Sequence, residues 1–426
     1  MPELLDKIDD LIEALEELRL HVGQADLHVG NHRVNSQLYF TLANVCLRNR
    51  VALLYGGMGA NKTTLVNLLG SAFMGLAFDQ VENLMITGHP EQTEEKIVGF
   101  IDPRQWSCPS PSSEDETIEV LWTPWAKSSW KVINEINRFP SGKQNLFLEL
   151  LQKRKVSYAG NTLELGDTCY FATMNPDFSS TYPLDEALLD RISVSVPATQ
   201  PDFLSSLALR DREKEAWELA DSLPKFEPHE FERLPSLAGE VSLDGQVELS
   251  IISLIRDFTL CERAPANDKT QLSGGAKPSR GLCSECHYFN NPEVCCWQID
   301  EGLSDRVRQD LRLYTRALAY LLRMADSDTK IEVLRAVAPY VIWHRVTPNR
   351  TLLDRPPYYG ARKLDYVRDL VEKSINRTLN ERGEMNMIFA RAVDGEISLR
   401  EAIEDLSEYD DPIARLDYVR ALERMA

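Results

Sequence analysis

Long apolar runs and an excess of basic charge are both missing from this chain of 426 residues. No apolar stretch approaches the roughly 20 residues that a membrane-spanning helix needs, so we expect no membrane segment. Lys and Arg number 47 against 66 Asp and Glu, giving a net charge of −19. This balance argues against general binding to a nucleic-acid backbone, although it leaves room for a local basic surface. The acidic, amphipathic start, MPELLDKIDDLIEALEEL, resembles neither a signal nor a transit peptide, so the expected location is cytoplasmic.

Catalytic patterns built on a Ser-His-Asp or Cys-His nucleophile do not stand out either. Cysteine is scarce, and five of the eight cysteines fall between positions 261 and 296. In a chain expected in the cytoplasm, such clustering favours metal binding over disulfides.

Alternating periodicities indicate the domain organisation. The length suggests two to four domains. Residues 1–35 include an amphipathic helix, and 36–200 alternate helical periods with the β-rich runs VALLY, KVIN, CYFATMN and ISVSV. That alternation predicts a three-layer α/β core around a largely parallel sheet. Residues 201–350 are predicted to be a helical region interrupted by a Cys-rich insertion at 261–297, and 351–426 a helical tail.

The stretch GGMGANKTT follows the apolar run VALLY and precedes the helical LVNLLGSAF. This strand, Gly-rich turn and helix form the context of a phosphate-binding loop, in which backbone N–H groups face phosphate oxygens. Lys62 would reach the β- and γ-phosphates, and the Thr63 hydroxyl would bind Mg²⁺. Asn61 replaces the expected glycine, and Asn is the next most tolerant residue for positive φ. The alternative is a Gly-rich turn that only packs a helix on a sheet.

Polar residues also follow two later strands. In KVINEINR the apolar run is followed by Asn134 and Glu135, where an Asp usually helps to hold the metal and a carboxylate orients the attacking water. In FATMNP the apolar run is followed by Asn175, and LDEALLDRI brings Arg191. The carboxyl edge of a parallel sheet is where such folds bind ligands. The predicted nucleotide-binding residues are Gly57, Gly59, Ala60, Asn61, Lys62, Thr63, Thr64 and Asn134.

Taken in this order, the motifs resemble the AAA+ ATPases, and within them the MoxR branch. The resemblance covers roughly 35–346 and rests on GGMGANKTT, NEINRFPSGKQNLFLELLQKRKV, YAGNTLELGDTCYFATMNP, LDEALLDRI, GLSDRVRQDLRLYTRALA and LRAVAPYVIWHRV. It implies an αβα P-loop ATPase core with an α-helical lid. The metal-binding insertion and the helical tail lie outside it.

The resemblance also implies a role for each matched residue. Lys62 and Thr63 are similar to the Walker A pair, and Glu135 to the catalytic glutamate of Walker B. Further on, Asn175 is similar to sensor 1, Arg191 to an arginine finger acting on a neighbouring subunit, and Arg306 to sensor 2. Arg138 is a candidate for a contact across the subunit boundary or for a structural ion pair. An arginine finger in trans places the site between ring subunits, expected to be a hexamer.

Two asparagines depart from the family pattern. Asn61 is compatible with the loop, as argued above. Asn134 removes a negative charge beside Mg²⁺, so metal affinity should fall and hydrolysis should be slow. The segment 86–127 occupies the position of the family's insertion and is rich in tryptophan, namely Trp106, Trp122 and Trp125, with Trp130 just beyond it. These side chains could form a contact patch or could pack under a hairpin.

The Cys-rich insertion predicts a metal site. Cys283 and Cys286 form a C-x₂-C knuckle, and Cys261 with Cys295 or Cys296 could supply the second pair of a tetrahedral site. Structural Zn²⁺ suits four thiolates and would fold a loop that is poor in apolar residues, with His287 as a substitute ligand. An iron–sulfur cluster and unligated cysteines are the alternatives.

The expected function is therefore an ATPase of the MoxR branch that uses ATP and Mg²⁺ to remodel or mature client protein complexes, as a chaperone-like factor. The family commonly works beside a partner with a von Willebrand A domain. Two other functions stay open. One is a DNA-directed motor, which the acidic charge disfavours, and the other is a nucleotide-gated scaffold with little hydrolysis, which Asn61 and Asn134 suggest.

Overall fold

The structure, a computed structural model, describes residues 2–17, 25–57, 59–104, 119–176, 181–198, 216–264, 268, 283–300, 302–324, 326–354 and 362–426. The chain forms two compact units, of which the first comprises Met1–Val241 with Tyr320–Arg323 and the second Ser242–Ala319 with Met324–Ala426. Within the described residues, no helix combines the length and the apolar character needed to cross a bilayer.

The helices of the first unit are α1 (Pro2–Glu17), α2 (Ser36–Leu47), α3 (Lys62–Met74), α4 (Phe78–Glu82), α5 (Glu94–Ile97), α6 (Pro124–Lys127), α7 (Ser141–Lys153), α8 (Glu186–Leu189), α9 (Ala216–Ser222) and α10 (Pro228–Gly239). Its strands are β1 (Leu27–Val29), β2 (His32–Val34), β3 (Val51–Tyr55), β4 (Met85–Thr87), β5 (Gly99–Ile101), β6 (Val120–Trp122), β7 (Trp130–Asn134), β8 (Lys155–Tyr158), β9 (Asn161–Glu164), β10 (Cys169–Met174) and β11 (Val194–Pro197). A 3₁₀ turn, Ile136–Arg138, follows β7.

Five parallel strands form the central sheet in the order β11-β3-β10-β7-β4. The strands β3, β7, β10 and β11 coincide with the four β-rich runs, so the predicted parallel sheet is confirmed. The fifth strand, β4, was not predicted, because three residues are too few to show a periodicity. Strands that run in parallel end at one edge, so the residues after Tyr55, Asn134 and Met174 meet there.

Burial of apolar side chains explains why these segments adopt their places. Helix α1 buries one face at the predicted helical spacing, through Leu4, Leu5, Ile8, Leu11, Ile12 and Leu15. Its polar side is fixed in the same unit, since Lys7 pairs with Glu230 at 2.6 Å and Arg323 with Asp6 and Asp9 at 2.5 and 2.6 Å. The predicted amino-terminal helix therefore packs as part of the first unit.

The Trp-rich segment contains a hairpin of β5 and β6. Trp125 and Trp130 are 2% and 0% exposed, and Trp122 packs partly buried against the core. These three tryptophans are therefore buried or partly buried and do not form an exposed contact patch. Trp106 lies outside the described residues.

The second unit consists of α11 (Gly245–Thr259), α12 (Arg306–Leu321, whose last two residues belong to the first unit), α13 (Ser327–Ile342), α14 (Arg350–Leu353), α15 (Lys363–Arg377), α16 (Gly383–Val393), α17 (Leu399–Ser407) and α18 (Arg420–Met425). Two π-helical segments, Thr378–Arg382 and Ala414–Val419, adjoin α15 and α18. The end of the Cys-rich segment packs on the carboxyl-terminal region in one apolar cluster, formed by Leu260, Tyr288, Val294, Cys296, Ile413 and Leu416.

A buried charge network fixes this packing. Arg382 is 0% exposed and binds Asp257 at 2.6 Å and Asp411 at 2.9 Å. A buried arginine is tolerated only when carboxylates pair with it, and here one guanidinium joins α11 to the segment before α18.

Candidate active site

The loop between β3 and α3 depends on backbone conformations that most side chains disfavour. Gly59 has φ +76°, and Asn61 has φ +50° and ψ 22°. Asn61 therefore adopts the left-handed conformation for which Asn substitutes best for glycine. At the start of the loop, a Cβ on Gly56 would lie 2.6 Å from the Ala198 carbonyl oxygen, so only glycine fits beside the end of β11.

Lys62 folds back over this loop. Its Nζ donates to the carbonyl oxygens of Gly56 and Gly57, each at 2.7 Å. Burial lowers the pKa of Lys62, while the nearby Glu135 carboxylate raises it. A cation is thus held above a curled backbone at the amino end of a helix, which is the arrangement that binds phosphate.

The end of β7 carries Asn134, whose amide is held on several sides. Its Oδ1 accepts from Thr173 Oγ1 at 2.6 Å and, more weakly, from Thr63 Oγ1 at 3.4 Å. Its Nδ2 donates to Thr87 Oγ1 at 3.5 Å. The parallel pairing of β4 with β7 places Thr87 directly beside Asn134.

Glu135 has φ +52° and ψ 52°, and its N–H donates to Thr173 Oγ1 at 3.0 Å. Its Oε2 accepts from Arg138 Nη1 at 2.7 Å across the 3₁₀ turn. Gly88 adjoins this turn so closely that a Cβ there would collide with the Glu135 carbonyl oxygen. Strained backbone of this kind persists where the surroundings fix it, often at functional sites.

Asn175 follows β10 and is 6% exposed. Its carbonyl oxygen accepts from Asn137 Nδ2 at 2.8 Å, and the carbonyl of Asn137 in turn accepts from the Tyr182 N–H at 2.7 Å. The turn after β7 and the end of β10 are thereby joined by hydrogen bonds.

These strand ends and the loop line one cavity of about 270 Å³, formed by Gly59, Ala60, Asn61, Lys62, Thr63, Thr64, Asn134, Glu135, Thr173 and Asn175. The fold thus brings together nine of the predicted site residues, plus Thr173. The wall offers backbone N–H groups and one cation for phosphate, and hydroxyl and amide oxygens that suit a hard cation such as Mg²⁺. The Glu135 carboxylate and the Asn175 amide belong to the same lining.

Three predicted nucleotide and catalytic residues, Gly57, Arg191 and Arg306, are not among the described residues that line the cavity. Gly57 belongs to the loop, and its carbonyl holds Lys62. Arg191 is not among the described residues that line the cavity, and it donates to the Ala187 carbonyl at 2.7 Å and to Gln152 Oε1 at 2.9 Å. Arg306 is exposed at the start of α12 in the second unit.

The predicted zinc site of Cys261, Cys283, Cys286 and Cys295 is not assembled in this structure. Among the described residues, no group of three or more His, Cys, Asp and Glu side chains is arranged to hold a metal. Cys295 is buried, its Sγ lies 3.6 Å from the Leu370 carbonyl oxygen, and burial raises the pKa of this thiol.

Cys286 is also engaged elsewhere. Its Sγ donates to Glu262 Oε2 at 3.1 Å, and burial, with the neighbouring carboxylate, raises its pKa to about 11. In this structure Cys286 and Cys295 therefore contact different groups, the Glu262 carboxylate and the Leu370 carbonyl. The two alternative ligands also contact other groups. Cys296 packs in the apolar cluster, and His287 Nε2 lies 3.1 Å from Asp410 Oδ1.

Sequence reasoning missed three residues that shape the cavity, namely Thr87, Gly88 and Thr173. Thr173 was visible in FATMNP, where it is the second residue before Asn175. Its importance depends on the pairing of β10 with β7, which no local pattern specifies. Gly88 is informative only once its packing against Glu135 is known.

Part of the chain is similar to a family of known proteins. Residues 128–194 match the sequence model of the ATPase family associated with various cellular activities (AAA). The chain is 27% identical over 125 residues to the uncharacterized protein YeaC of Bacillus subtilis (strain 168), which covers 29% of this chain and 39% of that protein. The match therefore spans well under half of the curated relative.

The fold also resembles the crystal structure of a "putative ATPase" from Cytophaga hutchinsonii. The TM-score is 0.61 at 20% sequence identity, over 87% of this chain and 95% of that one. At this identity the likeness concerns the fold alone. The family match covers β7 and β10, the two strands whose ends lie beside the phosphate loop.

Proposed function

We propose that this chain is an AAA+ ATPase of the MoxR type, which binds ATP with Mg²⁺ and hydrolyses it between subunits of a hexameric ring. The observation that carries the proposal is the single cavity lined by Lys62, Thr63, Asn134, Glu135 and Asn175. The work of the ring is to remodel or mature client protein complexes. Client and partner rest on the sequence resemblance.

Binding uses the loop and its lysine. The N–H groups of the loop are the donors that would face phosphate oxygens, and Lys62 can exchange its two carbonyl partners for the β- and γ-phosphates. The Thr63 hydroxyl and the Asn134 oxygen are the groups that would hold Mg²⁺. When bound, this cation neutralises charge on the phosphate oxygens.

Hydrolysis uses Glu135 and Asn175. Glu135 orients the attacking water, and Asn175 positions it against the γ-phosphate. In the structure the Glu135 carboxylate is engaged by Arg138. This ion pair competes with water for the carboxylate, which is a reason to expect slow hydrolysis in addition to the missing charge at Asn134.

Arg191 is assigned to the neighbouring subunit's nucleotide. Charge develops on the γ-phosphate as its bond loosens, and a guanidinium of the neighbouring subunit stabilises that charge by forked hydrogen bonds.

Subunit mixing tests this assignment. Arg191→Ala and Lys62→Ala subunits, each inactive alone, should regain phosphate release when mixed, because a Lys62→Ala subunit can offer its Arg191 to its neighbour. Failure to regain activity in verified mixed rings contradicts action in trans.

Arg306 is assigned to sensor 2, where an arginine couples the nucleotide to movement of the lid. Nucleotide binding by Arg306→Ala should weaken, while Arg308→Ala, two positions along the same helix, serves as the control. An equal loss in both variants would point to damage of α12 rather than to a nucleotide contact.

Magnesium-dependent phosphate release by the wild-type chain and Glu135→Gln is the decisive measurement. We expect Glu135→Gln to bind nucleotide but to lose at least about tenfold in turnover, since general acid–base groups typically contribute 10²–10⁴-fold. Glu149→Gln is a matched control, because Glu149 pairs with Lys153 at 2.9 Å on the exposed side of α7. Equal phosphate release by wild type and Glu135→Gln contradicts the catalytic assignment.

One specific observation favours a second function, a nucleotide-gated scaffold with little turnover. The carboxylate of Glu135 is paired at 2.7 Å, and the metal-side residue is an amide. In that case ATP binding would change the oligomeric state without phosphate release. Size-exclusion chromatography with ATP and with a non-hydrolysable analogue separates the two, and co-purification of native partners with the analogue would identify the client.

A further inference from the structure

The hydroxyl of Thr173 serves both residues that follow β7. Thr173 lies on β10 and is 1% exposed. Its Oγ1 accepts from the Glu135 N–H at 3.0 Å and donates to Asn134 Oδ1 at 2.6 Å. One buried hydroxyl therefore contacts the backbone of one residue and the side chain of the other.

Counting protons fixes the direction of these bonds. A hydroxyl has one proton to donate and lone pairs to accept with. Because a backbone N–H can only donate, Thr173 accepts from Glu135, and its own proton is left for an acceptor. Of the two ends of the Asn134 amide, only the oxygen can receive that proton.

The other contacts of the Asn134 amide agree with this orientation. Nδ2 of Asn134 lies 3.5 Å from Thr87 Oγ1, and Oδ1 lies 3.4 Å from Thr63 Oγ1. The amide oxygen is therefore turned toward the Thr63 hydroxyl in the first turn of α3, and the NH₂ group is turned toward β4.

Orientation matters at this position because the residue is an amide. An aspartate has two equivalent oxygens and presents one of them whichever way its carboxylate turns. An asparagine has one oxygen, and a flipped amide would present N–H donors, which repel a cation.

On this basis, and resting on the proposed function, we infer that Thr173 is a positioning residue for Mg²⁺. It keeps the amide oxygen of Asn134 turned toward Thr63 and the cation, and so allows an asparagine to stand in the place of the usual aspartate. Thr87 supports the same orientation from the opposite side.

The test is a double-mutant cycle between positions 173 and 134. The readout is the Mg²⁺ concentration that half-saturates binding of a non-hydrolysable ATP analogue, measured by titration calorimetry, and it needs no turnover. Thr173→Val removes the hydroxyl at nearly constant shape, Thr173→Ser retains it, and Asn134→Asp removes the need for orientation.

Thr173→Val should raise the half-saturating Mg²⁺ concentration by about tenfold, the lower end of what is lost when a residue supporting a metal ligand is removed. Thr173→Ser should behave like the wild type. In the Asn134→Asp background, Thr173→Val should change the value by less than about twofold, since either carboxylate oxygen serves equally.

An equal effect of Thr173→Val in both backgrounds overturns the inference, because loss of structure would act regardless of residue 134. Should Thr173→Val fail to fold, Thr87→Val gives the same test at an exposed position, with a smaller expected shift. The proposed function fails separately, if the wild-type chain binds no nucleotide at any Mg²⁺ concentration. Binding that ignores Mg²⁺ in every variant would refute the inference and leave nucleotide binding intact.

Discussion

Substitutions at Gly59 and Asn61 test whether the phosphate loop depends on left-handed backbone. Both residues have positive φ, at +76° and +50°. Beyond its chain neighbours, none of the described residues has a heavy atom within 4 Å of a Cβ built on Gly59, so we expect no clash in Gly59→Ala. Its cost is the intrinsic preference of the backbone, about 1–2 kcal/mol for a residue with a Cβ.

The expected loss in nucleotide affinity follows from that energy. If the strain is relieved only when the loop leaves its binding conformation, about 1–2 kcal/mol lowers affinity by roughly 5- to 30-fold. Asn61→Ala should lose about fivefold, because Asn tolerates this conformation better than Ala. Asn61→Gly should bind as well as the wild type, since glycine adopts it without strain.

Titration calorimetry with Mg²⁺ and a non-hydrolysable ATP analogue measures this series. Hydrogen exchange of the α3 amides reports in parallel whether the helix after the loop is loosened. Ala159→Gly is a matched control, since Ala159 has φ +48° in the turn after β8 and does not line the cavity, so stability should rise and affinity should not change. Wild-type affinity in Gly59→Ala, or an equal loss in Asn61→Gly and Asn61→Ala, would refute the reasoning.

Three further predictions concern other buried groups. Burial lowers the pKa of Lys131 to about 7, so above that pH the unfolded chain binds more protons than the folded chain. The free energy of unfolding should therefore rise between pH 7 and about 10. Urea denaturation should show a smaller rise in Lys131→Met. Arg382→Met removes the guanidinium that pairs with the buried Asp257 and Asp411 and should destabilise the second unit by about 3–5 kcal/mol in urea. The exposed Arg400→Met should cost less than about 0.5 kcal/mol, and a loss below about 1 kcal/mol in Arg382→Met would contradict the prediction. Gly88→Ala should push on the Glu135 carbonyl and lower phosphate release more than nucleotide binding, while Gly142→Ala, with open space around its Cβ, should change neither.

Local patterns in the sequence were enough to predict much of the first unit. The apolar runs at β3, β7, β10 and β11 are continuous because both faces of a parallel sheet are covered. The amphipathic spacing of α1 likewise specifies which face is buried. At Asn61 the need for positive φ is a property of one residue and its loop, so it could be read without knowledge of the rest of the chain.

The cysteines show what such reasoning leaves open. A C-x₂-C spacing places two thiols on one turn, but the remote ligands depend on tertiary packing. Cys295 instead lies buried against the Leu370 carbonyl, and Cys286 lies against Glu262. Spacing alone could not reveal these competing partners.

What the sequence by itself determined is the strand–loop–helix at residues 51–74, the strands of the sheet and the chemical types at their ends. Only the tertiary structure decided which of those ends meet, because the strand order β11-β3-β10-β7-β4 is not the order of the chain. It placed Thr173 against Asn134 and Glu135, and it buried Lys131, whose Nζ donates to the carbonyls of Trp125, Ala126 and Ser128. The physical reason is that contacts between distant residues are set by which strands pair and in which register, and neighbouring residues along the chain do not encode that choice.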